Sequence, residues 1–266
     1  MIRSHFGLES NPFDGENITL LPHQQTVFDT LQVHSRQGGL CVVMGEPGTG
    51  KSVIKSAITG LDKKTFITPT VSRTLHNYPG ILRILCAALE IDPGARSEKN
   101  EKLLIEAAFR INAKGRMLVP VIDDAHLLEL DCLRHLRLLF EDFPKNHNLV
   151  LLAQPPLMNN LRLSAHEDIR SRITYSVMLS RLNPDDIKSF IFEQLDRIRL
   201  AHSTFSDDAL ALIVRSSEGI LRRVRNLCIS AMLEAVRDRT RVIGLEQVNR
   251  VLMQPHWRQE RDLGEF

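Results

Sequence analysis

Apolar residues fall along this chain in two regimes. From Gly39 to Ser180, short runs that are apolar nearly throughout alternate with longer stretches whose apolar positions recur every three to four residues. The runs are GLCVVM (39–44), TFIT (65–68), MLVPVID (117–123), NLVLLA (148–153) and YSVMLS (175–180). A strand with one wet face alternates apolar and polar residues, whereas a continuous run suits a parallel strand covered on both faces. Between the runs lie SVIKSAITGL, YPGILRILCAALEI, EKLLIEAAFRINAK and DCLRHLRLLFEDF, each with helical spacing. The pattern predicts an α/β fold: a five-stranded parallel sheet flanked by helices and joined by right-handed crossovers.

After Ser180 the strand pattern stops. NPDDIKSFIFEQLDRIRL opens with Asn183 as N-cap, Pro184 at the first helical position and two acids in the first turn. SDDALALIVRSSEG and LRRVRNLCISAMLEAVRDR follow with helical spacing, separated at Gly219, and GLEQVNRVLM reads as a last short helix. The expected organisation is a linker and first helix at 1–35, an α/β core at 36–180, a small all-helical lid at 181–254 and a charged tail at 255–266.

Composition narrows the class without naming a chemistry. With 43% hydrophobic and 25% charged residues the chain is an ordinary globular one. A net charge of +2 rules out a polycation that must find nucleic acid, though a local basic patch stays possible. Cys41, Cys86, Cys132 and Cys228 lie in apolar runs without CxxC spacing, as buried reduced thiols do. The N-terminus has no signal-peptide pattern and no apolar run is long enough to span a bilayer, so a cytoplasmic protein is expected.

Candidate chemistry begins at the end of the first run. Gly45, Glu46, Pro47, Gly48, Thr49, Gly50, Lys51 and Ser52 fit G-x-x-x-x-G-K-[ST] at every fixed position, and with Val53 they form the expected nucleotide-binding stretch. Glycines let successive N–H groups turn toward one anion, and the helix that follows adds its N-terminal dipole. Lys51 is placed to reach the β- and γ-phosphates, and the Ser52 hydroxyl to ligate Mg²⁺ beside ATP.

MLVPVIDDAH puts two carboxylates directly after a strand run. Asp123 then holds Mg²⁺, and Asp124 stands where an attacking water is polarised. The other reading is that both acids cap the segment AHLLELDCLRHL as a helix. Gln154 follows the fourth run and suits a residue orienting that water; the alternative is a turn residue before Pro155 and Pro156. Arg170 and Arg172 precede the fifth run, where an arginine reaches a neighbouring subunit's nucleotide, or else is a solvated helix-end charge. Arg222 opens a helix and suits a phosphate sensor, while Arg223 and Arg225 read as a solvated basic face.

HFGLESNPF, GEPGTGKS, VIDDAHLL, LAQPPL, IRSRI, RLNPDDIKSFI and EGILRRVRNLC together resemble the ExeA/TniB-like branch of the AAA+ ATPases, over nearly the whole length. The resemblance implies that Phe6, Pro12 and Phe13 pack near the adenine, against the alternative of ordinary core packing. At position 124 the branch usually carries glutamate, so Asp124, one methylene shorter, points to slow hydrolysis. One function in the branch is a secretion-associated ATPase with a membrane segment and a peptidoglycan-binding region. The other is a DNA transposition helper, similar to TniB, TnsC and the B protein of phage Mu. The helper reading implies an ATP-dependent homo-oligomer, ring or filament, on duplex DNA without sequence preference, with a transposase and a target-selection protein as partners and no membrane. It is the reading expected from size and the missing membrane segment; the secretion ATPase and a slowly hydrolysing nucleotide-gated adaptor are the alternatives. For the DNA-facing surface the sequence offers Arg73 and His76 after the second run, and Arg110, Lys114 and Arg116 before the third; solvated loop charges are the plain alternative.

Overall fold

The computed structural model describes residues 1–13, 20–72 and 77–257. After a one-turn helix, α1 (Ile2–Phe6), the chain runs through α2 (Pro22–Gln37), β1 (Gly39–Gly45), α3 (Lys51–Thr59), β2 (Phe66–Ile67) and β3 (Thr70–Val71). It continues through α4 (Tyr78–Ala88), α5 (Ser97–Ala113), β4 (Met117–Leu118), β5 (Val121–Ile122), α6 (Leu130–Glu141) and β6 (Asn148–Ala153). Then come α7 (Pro156–Leu161), α8 (Glu167–Arg170), β7 (Ile173–Leu179), α9 (Pro184–Arg197), α10 (Asp207–Ser217), α11 (Leu221–Arg237) and α12 (Leu245–Leu252).

Two compact units result: Leu20–Leu179, and the described parts of Met1–Thr19 with Ser180–Phe266. This division differs from the expected one at the N-terminus. Helix α2 goes with the α/β unit, and the opening segment goes with the helices that follow Ser180.

In the α/β unit the parallel strand order is β3-β5-β6-β1-β7, with β2 and β4 paired beside it. The five expected strands are present, but two are interrupted by proline. Phe66 faces Met117 and Thr70 faces Val121 in one unbroken register, which sets Pro69 opposite Pro120. Each proline removes one ladder donor. The other donors still bridge the pair, from Met117 N–H to the Thr65 carbonyl (2.8 Å) through to Asp123 N–H on the Val71 carbonyl (3.0 Å).

Strand alternation sends side chains to two cores. Leu40, Val42, Met44, Ile122, Leu149 and Leu151 pack against α4, α5 and α6, while Cys41, Val43, Val121, Val150 and Leu152 pack against α2 and α3. By the same alternation Asp123 emerges on the α3 side. The fifth run departs from expectation. Among the described residues β7 pairs only with β1; Ile173, Tyr175 and Val177 are half-buried, Leu179 is buried, and Met178 is half exposed. An edge strand needs no apolar face on its open side.

In the helical unit Asn183 caps α9 by accepting the Asp186 N–H at 2.8 Å, and Ser206 caps α10 by accepting the Ala209 N–H at 3.2 Å. Gly219 breaks α10 from α11 at φ 78°, and its carbonyl accepts the Leu182 N–H at 2.9 Å. A Cβ there would lie 2.6 Å from the Leu182 carbonyl oxygen, so the close approach admits only glycine. The opening segment is tied to the same unit: Arg225 donates from Nε (3.0 Å) and Nη2 (2.7 Å) to the Phe13 carbonyl. All four cysteines are buried and none forms a disulfide. Among the described residues, no helix is long and apolar enough to cross a membrane.

Candidate nucleotide site

Three strand ends converge at one edge of the α/β unit. The register pairs Met44 with Ala153 and Ile122 with Leu151, so Gly45 and Gln154 come off adjacent strands at one level and Asp123 leaves the next strand two residues earlier, about 7 Å back along it. Neighbouring strands are about 4.8 Å apart, which puts phosphate-binding, polar and acidic groups within one ligand's reach. This is the carboxyl edge of a parallel sheet, where open α/β folds place ligands.

The loop from β1 to α3 is turned by Gly48 (φ 87°) and Gly50 (φ 109°), both in the left-handed region. Thr49 is buried and folds inward, its Oγ1 donating to the Glu46 carbonyl at 2.9 Å. A Cβ at Gly45 would meet that Oγ1 at 2.4 Å, so the cradle is closed to a side chain at its first residue. Lys51 is buried, and its Nζ donates to the carbonyls of Gly45 (2.6 Å) and Glu46 (2.9 Å). Its ammonium therefore lies along the loop that has to receive phosphate. Ser52 is exposed on the first turn of α3, whereas Val53 is buried beneath it.

Asp123 is largely buried, and both of its oxygens are engaged. Oδ1 accepts the Asp124 N–H at 3.0 Å, and Oδ2 lies 2.6 Å from Lys55 Nζ. Lys55 stands four residues after Lys51 on α3, one turn along the same face. Asp124 itself is left-handed at φ 50°, a conformation short polar side chains tolerate, and its side chain is about half exposed. A helix from Ala125, which the alternative capping reading needs, does not form. A single 3₁₀ turn spans Ala125–Leu127, Asp124 makes no side-chain cap to it, and α6 starts only at Leu130. Capping thus does not account for the acids.

His126 completes this cluster. Its Nδ1 is buried without a hydrogen-bond partner, 4.0 Å from an Asp124 oxygen. Burial pushes its pKa below the ordinary value, with Asp124 and Asp123 opposing the shift and Lys51 reinforcing it. Lys55 and His126 were not singled out from sequence. The helical period from Lys51 was the available signal for the first; for the second there was only adjacency to the acid pair.

The residues fit a nucleotide with a hard divalent ion. Among the described residues no group of three or more His, Cys, Asp or Glu could cage a metal. A metal here would rely on one carboxylate, one hydroxyl, water and phosphate oxygens, which is how Mg²⁺ is usually held. The Asp123 carboxylate already draws a cation into that position.

The remaining predicted residues are dispersed. Arg170 pairs with Glu167 and donates to the Arg162 carbonyl at 3.2 Å, while Arg172 Nε lies 3.0 Å from Glu141. Both precede β7 and so stand at the sheet edge opposite Gly45, about 20 Å from their own phosphate loop at 3.3 Å per strand residue. A cavity of about 470 Å³ opens at that opposite edge, and Arg172 and Glu141 help line it. Lys114 and Arg116 precede β4, also at the edge away from the loop; Lys114 is exposed, as is Arg110, and Arg116 donates to the Lys63 carbonyl at 2.7 Å. Arg73 and His76 lie outside the described residues.

In the helical unit Phe6, Pro12 and Phe13 are buried. Arg222 is exposed on the first turn of α11. The solvated basic face expected of the next two arginines is not what forms. Arg225 is half-buried on the Phe13 carbonyl, and Arg223 pairs with Glu218 at 2.8 Å and lies over the Trp257 ring.

A parallel sheet of this order, a phosphate loop off the interior strand β1, acids off β5 two strands away and a helical C-terminal region define the P-loop AAA+ ATPase fold. Residues 34–161 match the family model described as AAA domain. The chain is 28% identical over 204 residues to the general secretion pathway protein A of Aeromonas hydrophila, spanning 74% of this chain but only 37% of that protein. It superposes on Cdc6p from Pyrobaculum aerophilum with a TM-score of 0.69 at 20% identity, covering 93% of this chain and 69% of that one. For the Aeropyrum pernix ORC2 protein the values are 0.70 and 14%, covering 99% and 74%. The A. pernix ORC1 protein in complex with DNA gives 0.65 at 15%, covering 86% and 64%.

Proposed function

We propose that the chain is an ATP-dependent DNA transposition helper that oligomerises on duplex DNA and presents a target to a transposase. The observation that carries the oligomeric part is the position of Arg170 and Arg172. They lie too far along the sheet to serve their own phosphate loop, so any contribution of theirs to hydrolysis must be made to a neighbouring copy. Within one copy, the loop N–H groups and Lys51 bind and orient the triphosphate, and Ser52 and Asp123 hold the metal. Bound Mg²⁺ would neutralise charge on the transferred phosphoryl group. Gln154 and Asp124 orient the attacking water. Asp124 is short and half exposed, which supports slow turnover, suited to a switch that marks time.

DNA binding is supported by the fold shared with a DNA-bound relative and by exposed Arg110 and Lys114. A second reading, a secretion-associated ATPase, is favoured by the 28% identity to the A. hydrophila protein. Electron microscopy with and without duplex DNA in ATP, ADP and a non-hydrolysable analogue, with phosphate release measured in parallel, separates the readings. The helper should form DNA-bound assemblies that depend on ATP and hydrolyse faster on DNA. If no nucleotide state yields a DNA-bound assembly, the helper reading is wrong and the secretion reading gains.

A further inference from the structure

We propose that Lys55 is a resident counter-cation of Asp123 that the incoming metal ion must displace, so that metal loading is coupled to the opening of an internal ion pair. This inference rests on the assignment of Asp123 as the metal-binding carboxylate. Three observations carry it. Lys55 Nζ lies 2.6 Å from Asp123 Oδ2, and the pair is mostly withdrawn from water, with side-chain exposures of 23% and 15%. The second oxygen of the same carboxylate accepts the Asp124 N–H at 3.0 Å, which fixes the carboxylate in the orientation that Lys55 meets. Lys51, the other lysine of α3, donates to the loop carbonyls of Gly45 and Glu46.

Charge then decides the sequence of events. Without a metal, an unpaired Asp123 carboxylate would face the polyphosphate and repel it, and Lys55 cancels that charge. With a metal, a dication and an ammonium compete for one carboxylate, and each weakens the other's hold on it by like-charge repulsion. Lys55 has a flexible four-carbon stem and partial access to solvent, so it can withdraw. Its effect on nucleotide affinity must therefore change sign between metal-free and metal-saturated conditions. A lysine that only packs against the sheet would produce no such reversal.

The test is a titration of a non-hydrolysable ATP analogue by calorimetry, in EDTA and over a series of Mg²⁺ concentrations, for the parent chain, Lys55→Met and Lys55→Arg. Lys55→Met keeps the apolar stem and removes the charge. It should bind the analogue about tenfold more weakly in EDTA and reach half-maximal Mg²⁺ response at about tenfold lower metal. Lys55→Arg grips the carboxylate with two donors and should raise the Mg²⁺ midpoint. If Lys55→Met fails to fold, the arginine variant carries the test alone. Unchanged Mg²⁺ midpoints overturn the proposal. If Mg²⁺ does not alter analogue affinity in the parent chain, the metal assignment of Asp123 fails instead.

Discussion

On the proposed reading, Lys51 is the residue on which nucleotide binding turns. Its ammonium sits on the loop carbonyls, where phosphate oxygens would replace them. Lys51→Ala should weaken ATP binding at least about 100-fold, the loss expected when a buried charged hydrogen-bond set is removed. Undiminished affinity by calorimetry would refute the loop's role. His147, between α6 and β6, makes a pH prediction. Burial holds its pKa down to about 4 from an ordinary 6.5, a contact with the Ala108 backbone opposing the shift. The unfolded chain therefore takes up a proton first as the pH falls, and stability drops across that window. His147→Gln should flatten the decline between about pH 6.5 and 4 in denaturant unfolding.

At the scale of elements, the helical unit depends on local stops and one long-range tie. Gly219→Ala forces a Cβ against the Leu182 carbonyl at a positive φ and should cost about 2 kcal/mol or more. Asn183→Ala removes only a cap and should cost about 1 kcal/mol, so thermal unfolding should rank the two. Arg225→Ala leaves the Phe13 carbonyl without its guanidinium. It should raise amide exchange in residues 1–13 well before global unfolding, because that bond ties the opening segment to α11. The sequence pattern placed α3 to α6 and α9 to α12 from apolar period and caps alone. It started the helix after the acid pair at Asp131, one residue from the start of α6, and left the 3₁₀ turn over Ala125–Leu127 unmarked. It read β7 as covered on both faces because composition does not say which strand lies at the edge.

For the whole molecule, hydrolysis should be a property of the assembly. If Arg172 or Arg170 acts in trans, its alanine variant should lower the rate 10³–10⁵-fold, as for known arginine fingers, and only at concentrations where copies adjoin. A concentration series of phosphate release, with oligomer mass measured alongside, checks this; an equal loss in a dilute monomer would place the arginine's effect within one copy. Glu141 bonds Arg172 in the isolated chain, so its release is one step that assembly has to drive.

By itself, the sequence determined what is encoded locally. The phosphate loop needs glycines, a lysine and a serine at fixed spacing, and Gly45 to Ser52 supply them. Continuous apolar runs point to a parallel sheet covered on both faces, β7 excepted, and caps and breakers mark the helices that follow it. Tertiary structure alone decided what depends on distant pairing. Register set Gln154 beside Gly45 and brought Asp123 to the same end of the sheet, and strand alternation turned Asp123 toward α3 and so toward Lys55. Close packing, in turn, spent Arg225 on the N-terminal segment. Each of these joins residues far apart along the chain, and no local period or motif records which of them will meet.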